Sequence, residues 1–354
     1  MGKREEPSLF GLKNSNRDFT VKDSWGKNQF NSSFPASLCC YIHSINEEVN
    51  YLSTNNGFLG CFNLSVKSAF GIDPLDENVY FAFESLHSPF QQYVIGSLPR
   101  TDLVIQKKGT GECLAGIEIK LTALPDNSTH KLDDLKYGSE MVVRPDTIVY
   151  LACSVAKGLG QKGITGAIDN SIYIQDWSDA RQVLPFIPKI IKSLRDVFLS
   201  LEDKQSPFLL QPIWKTKGKS PELAENCLDV FFWSDSAFIH FITEIADTNP
   251  NATKINRQTR TAVWLFRMLL DISTNGKFNH HKIIDNLSYN TKNDKAFASS
   301  GKVTNKFMAC KRLETPLIKK TEIKNIILGG GQELLSPERR FDAIIYNSSE
   351  LFSI

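Results

Sequence analysis

No stretch of about eighteen apolar residues occurs in the chain, so no segment is long enough to cross a bilayer as a helix. The opening MGKREEPSLF is charged but has no apolar core, and no secretory leader is expected. Gly2 invites myristoylation, yet Glu6 stands where that pattern needs Ser or Thr. Net charge is nearly absent too: 41 basic side chains face 39 acidic ones, leaving +2. That excludes a protein that coats nucleic acid by charge alone, but not one with a local basic face. Seven cysteines (Cys39, Cys40, Cys61, Cys113, Cys153, Cys227 and Cys310) are scattered, with no C-x-x-C pair. The number is odd and the spacing irregular, which excludes a disulfide frame and a thiolate zinc site and points to reduced thiols in a cytoplasm. The six histidines include no i, i+4 pair, so there is no metalloprotease motif. No G-x-S-x-G elbow and no internal repeat is present.

What remains is a chain of 354 residues, 41% hydrophobic and 23% charged, able to bury a large core. Its patterning suggests an α/β fold, a central mixed sheet flanked by helices. Residues 1–36, polar and aromatic, read as an ordered arm or loop, followed by a short buried helix or strand in SFPASLCCYIHS. Short strand-like runs from Tyr51 to Phe70 are punctuated by the turn signal NNG. ENVYFAFESL is apolar and aromatic, and TDLVIQ, a Lys-Gly-Thr-Gly turn and CLAGIEIKLTAL read as two strands of a hairpin. DTIVYLACSVA is a strand or a buried helix, while 181–203 and 258–273 carry helical spacing. The expected division is an arm with first core elements over 1–50, a catalytic core over 51–205 and a helical, basic region over 206–354, or one continuous domain.

Charge is uneven. Residues 251–320 hold 14 Lys or Arg against 4 Asp or Glu, a local +10 that leaves −8 on the remainder. Such an excess is either a solvated face or a surface for phosphates, and the interleaved Asn, Gln, Thr, Tyr and Phe suit backbone and base contacts.

The sharpest feature is Asp102 followed by Glu118-Ile119-Lys120. A period of two puts Glu118 and Lys120 on one face of a strand and turns Ile117, Ile119 and Leu121 to the other. Asp102 starts the preceding strand, and pairing of the two strands would bring it near Glu118, given extended strands or a wide loop. Two close carboxylates repel unless a cation holds them, and Mg2+ takes oxygen ligands while keeping water positions. Such an ion would stabilise charge on a phosphodiester and acidify a water, with Lys120 beside water and phosphate. This is the Asp…Glu-x-Lys pattern of the PD-(D/E)xK nucleases. The bland reading is an ion pair on an amphipathic edge strand. Glu84, a lone acid in an apolar run, is either a further acid on an earlier helix or an ion-paired, helix-end residue; Glu112 and Asp126 read as loop residues.

The blocks PSLFGLKNSNRDFTVKDSWGKNQFNSSFPASL (7–38) and GIEIKLTALPDNST (116–129) resemble the HindVP-like type II restriction endonucleases. The resemblance implies a bacterial, Mg2+-dependent enzyme that cuts double-stranded DNA within the palindrome GRCGYC, after the R. Asp102, Glu118 and Lys120 match the nuclease motif, with Asp102 and Glu118 as metal ligands. One departure is that Pro99 stands three residues before Asp102, not directly before it. A palindromic target implies a two-fold homodimer. It also implies a cognate DNA methyltransferase that acts on the same site without stable binding. Candidate DNA contacts are Asn16, Arg17, Lys22, Lys27 and Asn28 in the arm, and Arg257, Arg260, Lys302 and Lys306 in the basic region. Two rival readings stay open, another metal-dependent nuclease of the same fold and a non-catalytic DNA-binding protein.

Three other motifs are weaker. Gly158-Leu-Gly-Gln-Lys-Gly163 matches G-x-G-x-x-G, but a dinucleotide site needs a helix opening at its end, and a flexible loop carrying Lys157 and Lys162 near DNA is the better reading. Gly218-Lys219-Ser220 lacks the upstream glycine of a phosphate loop, since Ile213 stands there. Asn279-His280-His281 reads as a loop.

Overall fold

The computed structural model describes residues 12, 14–17, 27–44, 46–120, 140–212, 215–217, 220–222, 230–289 and 296–300. Helix α1 (Lys27–Ser44) leads into the hairpin β1 (Glu48–Asn55) and β2 (Phe58–Ser65). The two-residue connection Asn56-Gly57 has positive φ at both positions (49° and 79°), the conformation a tight hairpin demands and Asn-Gly accepts. After α2 (Val66–Phe70) come β3 (Val79–Ser85), a 3-10 turn over Ser88–Tyr93, β4 (Thr101–Lys107), β5 (Cys113–Ile119) and β6 (Glu140–Val143). Then follow α3 (Pro145–Ala167), α4 (Ala180–Val183), α5 (Ile187–Leu201) and the strands β7 (Pro207–Pro212), β8 (Lys215–Lys217), β9 (Ser220–Glu222) and β10 (Val230–Ser234). The described part closes with α6 (Asp235–Ile245), α7 (Arg257–Asn275), α8 (His280–Asn286) and β11 (Phe297–Ser300).

Seven strands form one mixed sheet in the order β2-β1-β10-β7-β5-β4-β3. β1 runs parallel to β10 and β5 parallel to β7; the other neighbours are antiparallel. The inner strands β7 and β10 lie beyond residue 206, so strands from 51–205 and from the region after 206 share this sheet. Helices cover both faces, as an α/β fold requires when strands are apolar on both sides. On one face α3, α5 and α6 pack over the sheet, with Phe208, Phe231 and Trp233 in the shared core, and α7 packs against those three helices. On the other, α1 lies across β1, β3, β5 and β7, and Phe70 of α2 meets Phe81 and Phe232 edge-on at 5.9 and 5.8 Å.

Several expectations change. Residues 27–36 belong to α1 rather than to an arm, because its Ser, Ala and Cys side chains are small enough to sit close to the sheet and almost all those described are buried. For DTIVYLACSVA the buried-helix alternative holds: it is the first half of α3 and is buried nearly all round, so its apolar run shows no periodicity. The helix expected over 181–203 is interrupted at Leu184–Phe186, where Pro185 and Pro188 remove backbone donors. The Gly158–Gly163 motif is neither a dinucleotide turn nor a loop but lies inside α3, which kinks at Gly160 (φ 67°, ψ 167°). His280 and His281 open α8 rather than a loop, with Asn279 capping it through Lys282 N at 3.1 Å.

Candidate active site

β4 and β5 pair with Leu103 opposite Ile117, which sets Asp102 across from Glu118. The connection is the five residues 108–112, with positive φ at Gly109 and Gly111, and a register shift between Ile105 and Gln106 absorbs the extra length. Lys120 follows directly on β5, tied to β7 by its N–H to Leu210 O at 3.0 Å.

The three side chains meet. Lys120 Nζ lies 2.8 Å from Glu118 Oε2 and 3.2 Å from Asp102 Oδ2. Asp102 Oδ2 also accepts from the Ile119 N–H at 2.8 Å, so β5 fixes its orientation. Exposure is graded: the side chain of Glu118 is 5% exposed, that of Lys120 12% and that of Asp102 35%. The site therefore has a closed floor at Glu118 and an open side at Asp102. Burial raises the Glu118 pKa and the Asp102 charge adds to it, against the pull of Lys120. Burial works against the Lys120 ammonium, but the two carboxylates outweigh it and its pKa is raised.

Sequence reasoning missed the groups that hold Glu118. Thr101 Oγ1 donates to Oε1 and Thr147 Oγ1 to Oε2, each at 2.9 Å. Tyr150, one turn further along α3, donates to Pro99 O at 3.0 Å and accepts from His87 N at 3.2 Å. Thr101 could have been suspected from its place beside Asp102. Thr147 and Tyr150 could not, because nothing local says that α3 passes the end of β5.

Glu84 is on β3, not on a helix. Phe83 pairs with Leu103 and Ser85 with Thr101, so Glu84 occupies the position across from Asp102. Its backbone is left-handed (φ 48°), an unusual state for a glutamate. Its carboxylate pairs with Arg17 at 3.2 Å, the ion-paired arrangement. Glu112 is a loop residue paired with Lys107 at 2.6 Å. Asp126 and Leu121 lie outside the described residues.

Of the residues expected to touch DNA, Asn16 binds the β3 backbone instead: its amide donates to Phe83 O and accepts from Phe83 N, both at 2.9 Å. Arg17 is held by Glu84 and by the Phe83 ring 5.4 Å away. Lys27 and Asn28 begin α1, and Arg257 is exposed at the start of α7. Arg260 is the clear correction. It is 1% exposed, lies over the Trp264 ring at 4.9 Å and donates to Ser288 O and Ala296 O, so it braces the core and cannot face a duplex. Lys22, Lys302, Lys306 and Gly218-Lys219 lie outside the described residues.

The donor set suits a hard divalent cation. Asp102 Oδ2, Glu118 Oε2 and Ile119 O surround one point, the Lys120 Nζ, at 2.8–3.4 Å. Such oxygens are Mg2+ ligands, and a place that already gathers three of them around an ammonium favours positive charge. Among the described residues no group of three or more His, Cys, Asp or Glu could hold a metal.

A mixed sheet covered by helices on both faces, with Asp, Glu and Lys converging where two neighbouring strands end, is a restriction-endonuclease-like core. Residues 25–352 match the family model of the HindVP restriction endonuclease. The chain belongs to that family, and is a type II site-specific deoxyribonuclease. It is 55% identical over 349 residues to the "Probable type II restriction enzyme HindVP" of Haemophilus influenzae, covering 98% of this chain and 95% of that one. It is 44% identical over 350 residues to the "Type II restriction enzyme HgiDI" of Herpetosiphon aurantiacus, covering 98% and 97%. No solved structure matches the chain. No helix among the described residues is long and apolar enough to cross a membrane.

Proposed function

We propose that the enzyme makes Mg2+-dependent double-strand cuts in the palindrome GRCGYC, after the R, and that Asp102, Glu118 and Lys120 carry the chemistry of a PD-(D/E)xK nuclease. The observation that supports it most is the Lys120 ammonium held between two carboxylates from adjacent strands, at 2.8 and 3.2 Å. Asp102 and Glu118 would hold Mg2+, which supplies charge stabilisation at the phosphodiester and an acidified water. Lys120 stands beside that place and would offset phosphate charge and orient the attacking water. The water adds in line to phosphorus, the bond to O3′ breaks, and the ends are 5′-phosphate and 3′-hydroxyl. Glu84, across from Asp102, is a reserve acid for the same site if its pair with Arg17 opens.

A palindrome is cut on both strands by a two-fold homodimer, one site per strand. Contacts to the duplex would come from Lys27, Asn28, Lys302 and Lys306 and from exposed cations of the basic segment, Lys254, Arg257, Lys277 and Lys282. A methyltransferase modifying the same sequence would protect the host, and the pair would work in a bacterial cytoplasm. The test is digestion of a plasmid of known sequence with and without Mg2+, with the ends mapped. Discrete cuts at GRCGYC are expected, and Asp102→Ala is expected to abolish them while leaving the fold intact. Mg2+-dependent cutting elsewhere would discard the sequence assignment, and an Asp102→Ala protein as fast as wild type would discard the site.

A further inference from the structure

We propose that Thr147, at the start of α3, is a positioning residue for the catalytic carboxylate, and that α3 governs how well the site holds its metal ion. The proposal rests on the Asp102–Glu118–Lys120 reading above. A glutamate on a strand end keeps three free side-chain torsions, and a ligand that swings loses affinity. Glu118 is fixed at both oxygens, by Thr101 from its own sheet and by Thr147 from the helix layer. Thr147 and Glu118 are both buried, so no water competes for either bond.

The device extends along one face of α3. Thr147, Tyr150 and Ser154 follow each other at spacings of three and four, and all three hydroxyls point at the sheet layer. Thr147 reaches Glu118 on β5. Tyr150 reaches Pro99 O, just ahead of β4 and Asp102, and takes the His87 N–H. Ser154 reaches Asp235 Oδ2 at 3.0 Å, where β10 turns into α6. His87 in turn lies under β5 at Gly116, where a Cβ would stand 3.0 Å from the imidazole. One helix thus fixes the catalytic glutamate and the approach to the catalytic aspartate together. The hydroxyls have no need to face the sheet for packing, since apolar side chains would fill the same layer. The Thr147 bond to Glu118 and the Tyr150 bond to Pro99 O, ahead of β4, are what the arrangement adds.

Partners of this kind around ligands typically change metal affinity or activity by roughly 10- to 100-fold when removed. The experiment compares Thr147→Val, Thr147→Ser and wild type as full-length proteins. Mg2+ binding is measured calorimetrically without DNA, and cleavage rate is followed against Mg2+ concentration. Thr147→Val is isosteric and should fold. It is expected to bind Mg2+ roughly 10-fold or more weakly and to need correspondingly more Mg2+ for half-maximal cleavage, with Thr147→Ser close to wild type. Equal Mg2+ affinity in Thr147→Val and wild type would overturn the proposal, as would a Thr147→Ser protein no better than Thr147→Val. If Thr147→Val is too unstable to measure, Tyr150→Phe, which keeps the ring and deletes the bond to Pro99 O, serves as the second variant. An unchanged Mg2+ requirement there would overturn it equally. Wild-type protein that binds no Mg2+, or an Asp102→Ala protein that still cuts, would instead overturn the underlying site assignment.

Discussion

Replacing Lys120 by Met tests the centre of the site most directly. The side chain keeps its length and its packing stem but loses the ammonium that neutralises two acids. Glu118 is then left in a closed environment with no cation. Removing one partner of a buried pair costs about 3–5 kcal/mol, because the remaining charge stays unpaired. Here the lower end applies. Thr101 and Thr147 still hold both Glu118 oxygens, and Asp102, 35% exposed, regains water. A loss of about 3 kcal/mol is therefore expected in urea unfolding with a chelator present. Mg2+ should restore most of it, since an ion at about 100 times its dissociation constant adds about 2.7 kcal/mol. Wild type should gain less from Mg2+, because its ammonium already neutralises the two carboxylates. Cleavage should stay absent in Lys120→Met at every Mg2+ concentration, so stability recovers while activity does not. A variant that loses less than about 1 kcal/mol, or whose loss Mg2+ leaves untouched, would refute the electrostatic reasoning.

Two further outcomes follow from the structure. Asp235 is buried and its pKa is pushed up to about 6, mainly by burial, so the folded protein binds its proton more tightly than the unfolded chain. Its contribution to stability is greatest below about pH 4 and is lost as pH rises through about 6, a change of about 3 kcal/mol. Asp235→Asn, which keeps an acceptor for the Ser206 and Ser236 N–H groups, should flatten that difference and be the more stable protein at pH 8, as read by urea unfolding at several pH values. A variant with the wild-type slope between about pH 4 and 6 would count against it. Gly160→Ala should cost about 1–3 kcal/mol in thermal unfolding. No atom lies within 4 Å of the added methyl, so the whole cost is the backbone, at φ 67° and ψ 167°. A neutral substitution would show that the kink relaxes to ordinary helix.

The sequence by itself determined the hairpin logic and the meeting of acid and amine at the end of β5. Asn-Gly turns β1 into β2, the glycines of the 108–112 loop turn β4 into β5, and the Glu118-Ile119-Lys120 alternation puts an acid and an amine together beyond a buried isoleucine. These are local facts, set by turn residues and by a period of two. The helical stretch 258–273 was equally legible, since α7 is amphipathic and capped by Asn256 and Gly276. What α1 and α3 would become was not. A helix buried on most sides carries no stripe, and Ser32 and Ser33 in α1 look like part of a polar arm until the packing that buries them is present. Arg260 shows the same limit from the side of charge: a cation in a basic segment reads as surface, and only the Trp264 ring and two carbonyls from distant loops decide that it is core. The fastening of Glu118 by Thr147 joins residues 29 apart in sequence through a helix lying across a strand end. No pattern in the chain encodes that meeting. It exists only because the two layers, packed on their apolar faces, leave one hydroxyl within reach of one carboxylate.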